Sequence, residues 1–327
     1  MEWIVGNLIK TFIISSVWII VLLILRSTLF KKYRKVVSYY CWIIILIRMM
    51  FPFRITIDIT DIIDNTYNSI SDFFELYINI GDKIETISNI KIVGYIWFIG
   101  AIIIAIYKIS TYIVLKKKIL GISYVIEDKK VINIYNKVLK EMDIKKKIHL
   151  AQNKDNVIPF GIGIFKKYIV LPQINYADEQ LEWILKHELT HFKYNDILVK
   201  IIYMIVSIIY WFNPLIYLIS KVIEADCELS CDERVLRSCQ QEQKQEYALT
   251  ILKSVKQCRD NDIGISTTLG RGFSIKLRVE RIFAENLKRG FTIIVCVFLL
   301  VMATTISFTT NDSQKMNNYN TKIEQNK

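Results

Sequence analysis

His187, Glu188 and His191 stand in the order His187-Glu188-Leu189-Thr190-His191. On a helix, imidazoles four residues apart lie on one face, about one turn from each other, and suit two neighbouring positions around a tetrahedral zinc ion. The glutamate between them then sits beside the metal. There it can take a proton from an attacking water and later pass it to a leaving amine. Trp183, Ile184, Leu185 and Leu189 make this an apolar helix, on which two histidines and a glutamate need a polar purpose. The spacing therefore points to a zinc metallopeptidase with one zinc per chain, liganded by His187 and His191, with Glu188 as its catalytic base.

A third ligand has to come from downstream. The densest cluster of donors is Glu224, Asp226, Cys227, Glu228, Cys231, Asp232 and Glu233. Glu224, Glu228 and Asp232 share one helical face, and Glu228 followed by Asp232 supplies a ligand plus a carboxylate able to hold a histidine by its other ring nitrogen. Glu224 with Glu228 fits less well. Cys227 and Cys231 have the spacing of a thiolate pair, but two thiolates with two histidines would leave a catalytic zinc no open position. Glu228 is thus the favoured ligand and Asp232 its supporting carboxylate. Asp196, five residues after His191, is a second candidate for orienting a histidine.

The elements that position these groups follow from the patterning. Hydrophobic residues make up 52% of the 327 residues and recur in Ile-rich blocks, which reads as an α-helical membrane protein around a smaller polar body. Spans are expected at about 3–25, 36–53, 92–115 and 291–309, the first three forming a membrane region over 1–115. The loop 54–90 carries seven acidic residues against Arg54 and Lys83, 7 − 2, a net charge of −5. Basic clusters flank the spans at 26–35, at 116–118 and at Lys288-Arg289. The positive-inside rule then places the body 116–290 in the cytoplasm and loop 54–90 outside, together with the N-terminus and a disordered tail 310–327. A net charge of +12 distributed in this way describes topology and not a nucleic-acid surface. The cysteines, without paired spacing, read as free thiols of a reducing cytosol.

The apolar run 197–220 is long enough to be a fifth span, but a crossing there would separate His191 from Glu228. It is therefore expected to dip into the bilayer or to underlie the site, with Asn213-Pro214 as a break. Upstream, a helix is expected over 131–142 and a strand over 148–151. Gly161, Ile162, Gly163 and Ile164, with Tyr168–Leu171, read as a hairpin or paired edge strands that either hold an extended peptide or serve structure alone. The site helix is expected from Ala177 or Asp178 through His191. The stretch 261–281, with Gly264, Gly270, Arg271 and Gly272, reads as a basic linker and a candidate for self-cleavage.

Three ordered motifs carry a family resemblance: His187 to Asp196, Trp211-Phe212-Asn213-Pro214, and Asp226 to Asp232. With Arg48 to Phe53 and Pro159 to Pro172, they make the chain resemble, over about residues 1–310, the integral-membrane zinc peptidases of the BlaR/MecR antirepressor type. The resemblance implies an α+β gluzincin-like protease domain in the cytoplasm, with His187, His191 and Glu228 on zinc and Glu188 as base. It also implies cleavage of a winged-helix repressor at the plasma membrane, and self-cleavage before the last span. Members of that type carry an extracellular penicillin-binding sensor after the last span. Residues 311–327 are too short for one, and Ser88-Asn89-Ile90-Lys91 matches an acylation pattern only by chance. The input is then expected through loop 54–90, the bilayer, a homodimer or a separate sensor partner. Two alternatives stay open: a housekeeping membrane gluzincin, and a non-catalytic receptor or scaffold with structural zinc.

Overall fold

The structure, a computed structural model, describes residues 2–51, 55–58, 90–153, 158–173, 176–259, 275–285, 287–304 and 306–309. Most of loop 54–90, with Ser88 and Asn89, lies outside the described residues, as do Gly264, Gly270, Arg271, Gly272 and the tail 310–327. The described chain is mostly helical, with a four-stranded sheet and a two-stranded one.

Helix α1 (Glu2–Ser27) turns through a short 3-10 segment into α2 (Lys35–Met50), and α3 (Ile90–Gly121) follows. Gly6–Ser27 and Ile92–Gly121, with mean hydropathies of 2.6 and 2.1, are long and apolar enough to cross a bilayer. Along α3, residues such as Ile96, Ile103, Ile106 and Val114 are exposed, as a lipid-facing helix requires. The other two expected spans form shorter helices, α2 of 16 residues and α10 (Phe291–Ala303) of 13 residues. At 1.5 Å per residue these are about 24 and 20 Å long, less than the ~30 Å hydrocarbon layer. α2 ends where Arg48 Nη1 donates to the carbonyl of Phe51 at 2.9 Å. α10 starts at Gly290, whose φ of +68° and contact with the Tyr33 ring leave no room for a side chain. The two helices run parallel, bridged before them at Tyr33 and Lys288. After them, β1 (Ile55–Asp58) pairs in parallel with β6 (Ile306–Thr309).

The run 197–220 is two helices. α6 (Asp196–Ile209) ends before a tight turn, and α7 (Pro214–Val235) starts with proline in its first turn, where the missing N–H is harmless. Asn213 caps α7 by accepting from the Leu215 amide at 2.9 Å. At 14 residues α6 is about 21 Å long, too short to cross. α3 latches this turn: Trp97 Nε1 donates to the Ile209 carbonyl at 2.8 Å, and Trp211 Nε1 donates to the Trp97 carbonyl at 3.3 Å. Gly100 permits the approach, since a Cβ there would lie 2.4 Å from the Trp211 ring.

The polar body contains β2 (Ser123–Val125), α4 (Lys129–Glu141), β3 (Ile148–Asn153), β4 (Phe160–Ile162), β5 (Lys167–Pro172) and α5 (Asp178–Lys193). It continues with α8 (Gln241–Arg259) and α9 over 275–282. The sheet order is β2-β3-β5-β4, with β3 and β5 parallel and β4 at an edge that no other described strand pairs with. The expected hairpin is present, but its first strand stops at Ile162. Gly163 and Ile164 fall in the turn, where Gly163 takes φ +103° and a Cβ would strike the Lys166 carbonyl. Helix α5 packs Leu181, Leu185, Leu189 and Phe192 onto the sheet and α4, and Trp183 onto α8. Its remaining face carries the histidines.

Candidate active site

His187 and His191 project from the last turns of α5, with ring centroids 4.8 Å apart and planes nearly perpendicular. Their Nε2 atoms are 3.2 Å from each other. Glu228, on α7, places one carboxylate oxygen 3.3 Å from His187 Nε2 and the other 3.5 Å from His191 Nε2. The turn at 210–213 is what brings α7 back alongside α5. Glu224, the less favoured ligand, points to solvent on the same helix.

The other ring nitrogens are already engaged. His191 Nδ1 is 2.7 Å from Asp196 Oδ2. His187 Nδ1 is 2.8 Å from the Tyr247 hydroxyl and 3.4 Å from Asp232 Oδ1. Because Tyr247 donates its own proton to Asp232 at 2.6 Å, its oxygen must accept from His187 Nδ1–H. A carboxylate only accepts, so His191 Nδ1 likewise carries the proton. With Nδ1 engaged, both Nε2 atoms face one point beside the Glu228 carboxylate, where each can give its lone pair to a cation or, without one, donate a proton to Glu228.

The fit to zinc can be tested on these distances. Bonds of 2.0–2.1 Å in a tetrahedron separate ligand atoms by about 3.3–3.4 Å; the two Nε2 atoms here are 3.2 Å apart, and each has a different oxygen of Glu228 at 3.3 or 3.5 Å. The thiols compete poorly. Cys231 Sγ lies 3.4 Å and Cys227 Sγ 4.0 Å from Nδ1 atoms, on the side occupied by Tyr247, Asp232 and Asp196. Cys231 also donates to the His187 carbonyl at 3.4 Å. The donors of the Nε2 side, two imidazoles and a carboxylate, leave a fourth position open to the cleft.

That cleft, of about 330 Å³, is walled by Phe160, Gly161, Trp183, Lys200, Ile251 and Arg278 around the histidines and Glu188. Burial lifts the Glu188 carboxyl above its ordinary value, against the pull of His187 and His191. Burial also opposes the charge of Glu228, but the hydrogen bond of His187 and the charges of His191 and Arg278 outweigh it. They hold Glu228 well below the usual carboxylate range. Asp232 is likewise held ionised, against its burial, chiefly by Arg278. Gly161 lies over the base: a Cβ there would be 2.7 Å from the Phe192 ring and 3.7 Å from Glu188 Oε2. Ile162 is buried in β4, and Gly163 and Ile164 do not line the cleft.

A family model described as BlaR1 peptidase M56 matches residues 6–282. The chain belongs to that family. Family membership and the two long apolar helices make this M56 peptidase a membrane protein of a metallopeptidase family. The methicillin resistance mecR1 protein of Staphylococcus aureus is 28% identical over 336 aligned positions, covering 90% of this chain and 56% of its own length. The regulatory protein BlaR1 of Staphylococcus aureus is 29% identical over 232 positions, 68% of this chain and 38% of that protein. The Bacillus licheniformis protein of the same name is 29% identical over 137 positions, 41% and 23%. The chain spans about half the length of the mecR1 relatives it matches.

Two residues of this M56 peptidase's site were invisible in the sequence. Tyr247 sits in a helix rich in Gln, Glu and Lys, and only its place beside Ala248 and Ile251 on an apolar face sets it apart. Arg278 falls in the stretch expected to be a linker, yet 275–282 is helical, with Ile282 buried against Tyr247 and Trp183. The glycines upstream masked the apolar spacing of that short helix.

Proposed function

We propose that this M56 peptidase is a gluzincin-type zinc endopeptidase of the plasma membrane that passes on a signal by cleaving a cytosolic winged-helix repressor, and itself. The observation that carries the reading is the triangle of His187 Nε2, His191 Nε2 and Glu228, closed by two Nδ1–H groups locked in the metal-binding tautomer. One zinc per chain, held by these residues, supplies a Lewis acid for the scissile carbonyl and water made acidic enough to react near neutral pH. Glu188, its basicity raised by burial, takes the proton of the attacking water and delivers it to the leaving amine. The outer edge of β4, unpaired among the described residues, lines the cleft at Phe160 and Gly161, so an extended substrate can add as a further strand and pass close to Glu188.

The cytoplasmic placement rests on the basic clusters after α1 and α3, and on the parallel course of α2 and α10. The regulatory role is supported by the names of the relatives, one a methicillin resistance protein and two regulatory proteins. The test is incubation of the purified full chain with a small winged-helix repressor from a neighbouring gene. Wild type should cleave it and Glu188→Ala should not. An intact repressor in both reactions, with zinc bound, would remove repressor cleavage from the reading.

A further inference from the structure

The two histidines are braced from different parts of the chain. His187 is held by Tyr247 and Asp232 from within the polar body. His191 is held by Asp196, whose other oxygen accepts a hydrogen bond at 3.0 Å from the hydroxyl of Tyr39, on α2. Tyr39 and Asp196 are each 1% exposed, so neither finds a substitute partner in water. Arg234, 3.6 Å from the same oxygen, is beyond ordinary hydrogen-bond length.

α2 also grips the helix that carries the third ligand. Ser38 Oγ and Trp42 Nε1 donate to Asp226 at 2.6 and 3.1 Å, and Arg26 of α1 reaches the same carboxylate at 3.0 Å. One helical stretch further on, Glu233 accepts from the amides of Lys35 and Val36 at 2.8 and 3.3 Å, capping the N-terminus of α2. Asp226 and Glu233 bracket Glu228. A single apolar helix thus fixes the backbone behind Glu228 and the carboxylate behind His191.

We infer that Tyr39 is a positioning residue for the metal site, fixing His191 through Asp196 and so making zinc affinity depend on where α2 sits. This rests on the zinc reading of the site given above. Removing the phenol oxygen takes away the hydrogen-bond donor of this buried Asp196 oxygen and leaves it only the longer Arg234 ion pair, which loosens the carboxylate and the imidazole with it. Partners of this kind typically change metal affinity or activity by 10–100-fold.

The test uses the full chain in detergent, as wild type, Tyr39→Phe, Asp196→Asn and the double variant, with zinc affinity read by chelator competition. Tyr39→Phe should bind zinc about tenfold more weakly, with kcat lowered and KM little changed. In the Asp196→Asn background the same change should add less than about twofold, because the two act as one arm. Unchanged affinity in Tyr39→Phe, or a full additional loss in the double variant, overturns the assignment. A zinc-free Tyr39→Phe that unfolds earlier than zinc-free wild type, or does not fold, marks Tyr39 as packing and overturns it also. Wild type that binds no zinc sinks the reading of the site itself, before any variant is compared.

Discussion

Arg278 clamps Asp232 from 46 residues away, with Nε 2.8 Å from one carboxylate oxygen and Nη2 2.7 Å from the other. The same guanidinium sets Nη1 3.3 Å from the Glu228 carboxylate. One cation thereby holds the carboxylate behind His187 and the proposed third ligand together, from a helix that lies within the stretch expected to be a linker. Buried pairs of this kind contribute little net stability when intact but leave an uncompensated charge when broken. Arg278→Gln should therefore cost about 3–5 kcal/mol in chemical unfolding of the zinc-free protein. Arg278→Lys should recover only part of that, because an ammonium cannot bond both oxygens in the fork geometry. Equal stability of all three would show that the clamp does not form in solution.

Glu188 separates metal binding from chemistry. It is 7% exposed and stands in the cleft, but belongs to none of the three donors. Glu188→Gln should retain zinc at wild-type stoichiometry, measured by metal analysis, while peptide cleavage falls by about 10²–10⁴-fold. Zinc retained with undiminished cleavage would transfer the base to another residue. Zinc lost would make Glu188 a ligand.

The pentapeptide at 187–191 dictates its own helix and face, so those residues were legible at once. Requiring Glu228 beside them argues against a crossing over 197–220, and the structure has a non-helical turn at 210–213 between two helices. Asp196 and Asp232 could be proposed because each lies within a few residues of a ligand. Tyr39, Tyr247 and Arg278 could not. Their roles depend on contacts across 157, 60 and 46 residues, and such distances are set by packing, which local periodicity does not encode. The lengths of α2 and α10 were overestimated for a related reason. Apolar composition continues past Met50 and Ala303, where the two helices end, in the second case into the strand Ile306–Thr309.

Zinc removal should be a structural event as well as a chemical one. The two Nε2 atoms lie 3.2 Å apart beside the Glu228 carboxylate, with both Nδ1 atoms already engaged, so the three donors are gathered at one point that a bound ion would tie together. Purified protein should carry one zinc per chain, and chelation should lower its unfolding temperature by an amount that grows with the logarithm of the zinc affinity. His187→Ala should lose the metal and show no chelator effect. Metal-free protein that cleaves as well as wild type would overturn the assignment.

The turn between α6 and α7 predicts sidedness. Lys193, at the end of α5, and Ser238, just past α7, are exposed on the two arms that flank the apolar hairpin. In a background without native cysteines, Lys193→Cys and Ser238→Cys should both react with a membrane-impermeant maleimide only from the cytosolic face. Labelling from opposite faces would mean that 197–220 crosses, and His191 and Glu228 could not then meet.

Gly161 offers the sharpest test of the β4 edge. A methyl at this position would approach the Phe192 ring to 2.7 Å and Glu188 Oε2 to 3.7 Å. Phe192 is 2% exposed and packed against Leu189 and the sheet, so its ring has little room to retreat. Overpacking of this sort costs about 1–3 kcal/mol, and the displaced strand would also crowd the path of an extended substrate. Gly161→Ala should raise KM and lower kcat for a peptide substrate, while zinc content stays at wild-type level. Ile164→Ala, in the turn beyond the strand and away from the cleft, should leave both constants unchanged. If Gly161→Ala cleaves like wild type, β4 serves the sheet alone and the peptide binds elsewhere.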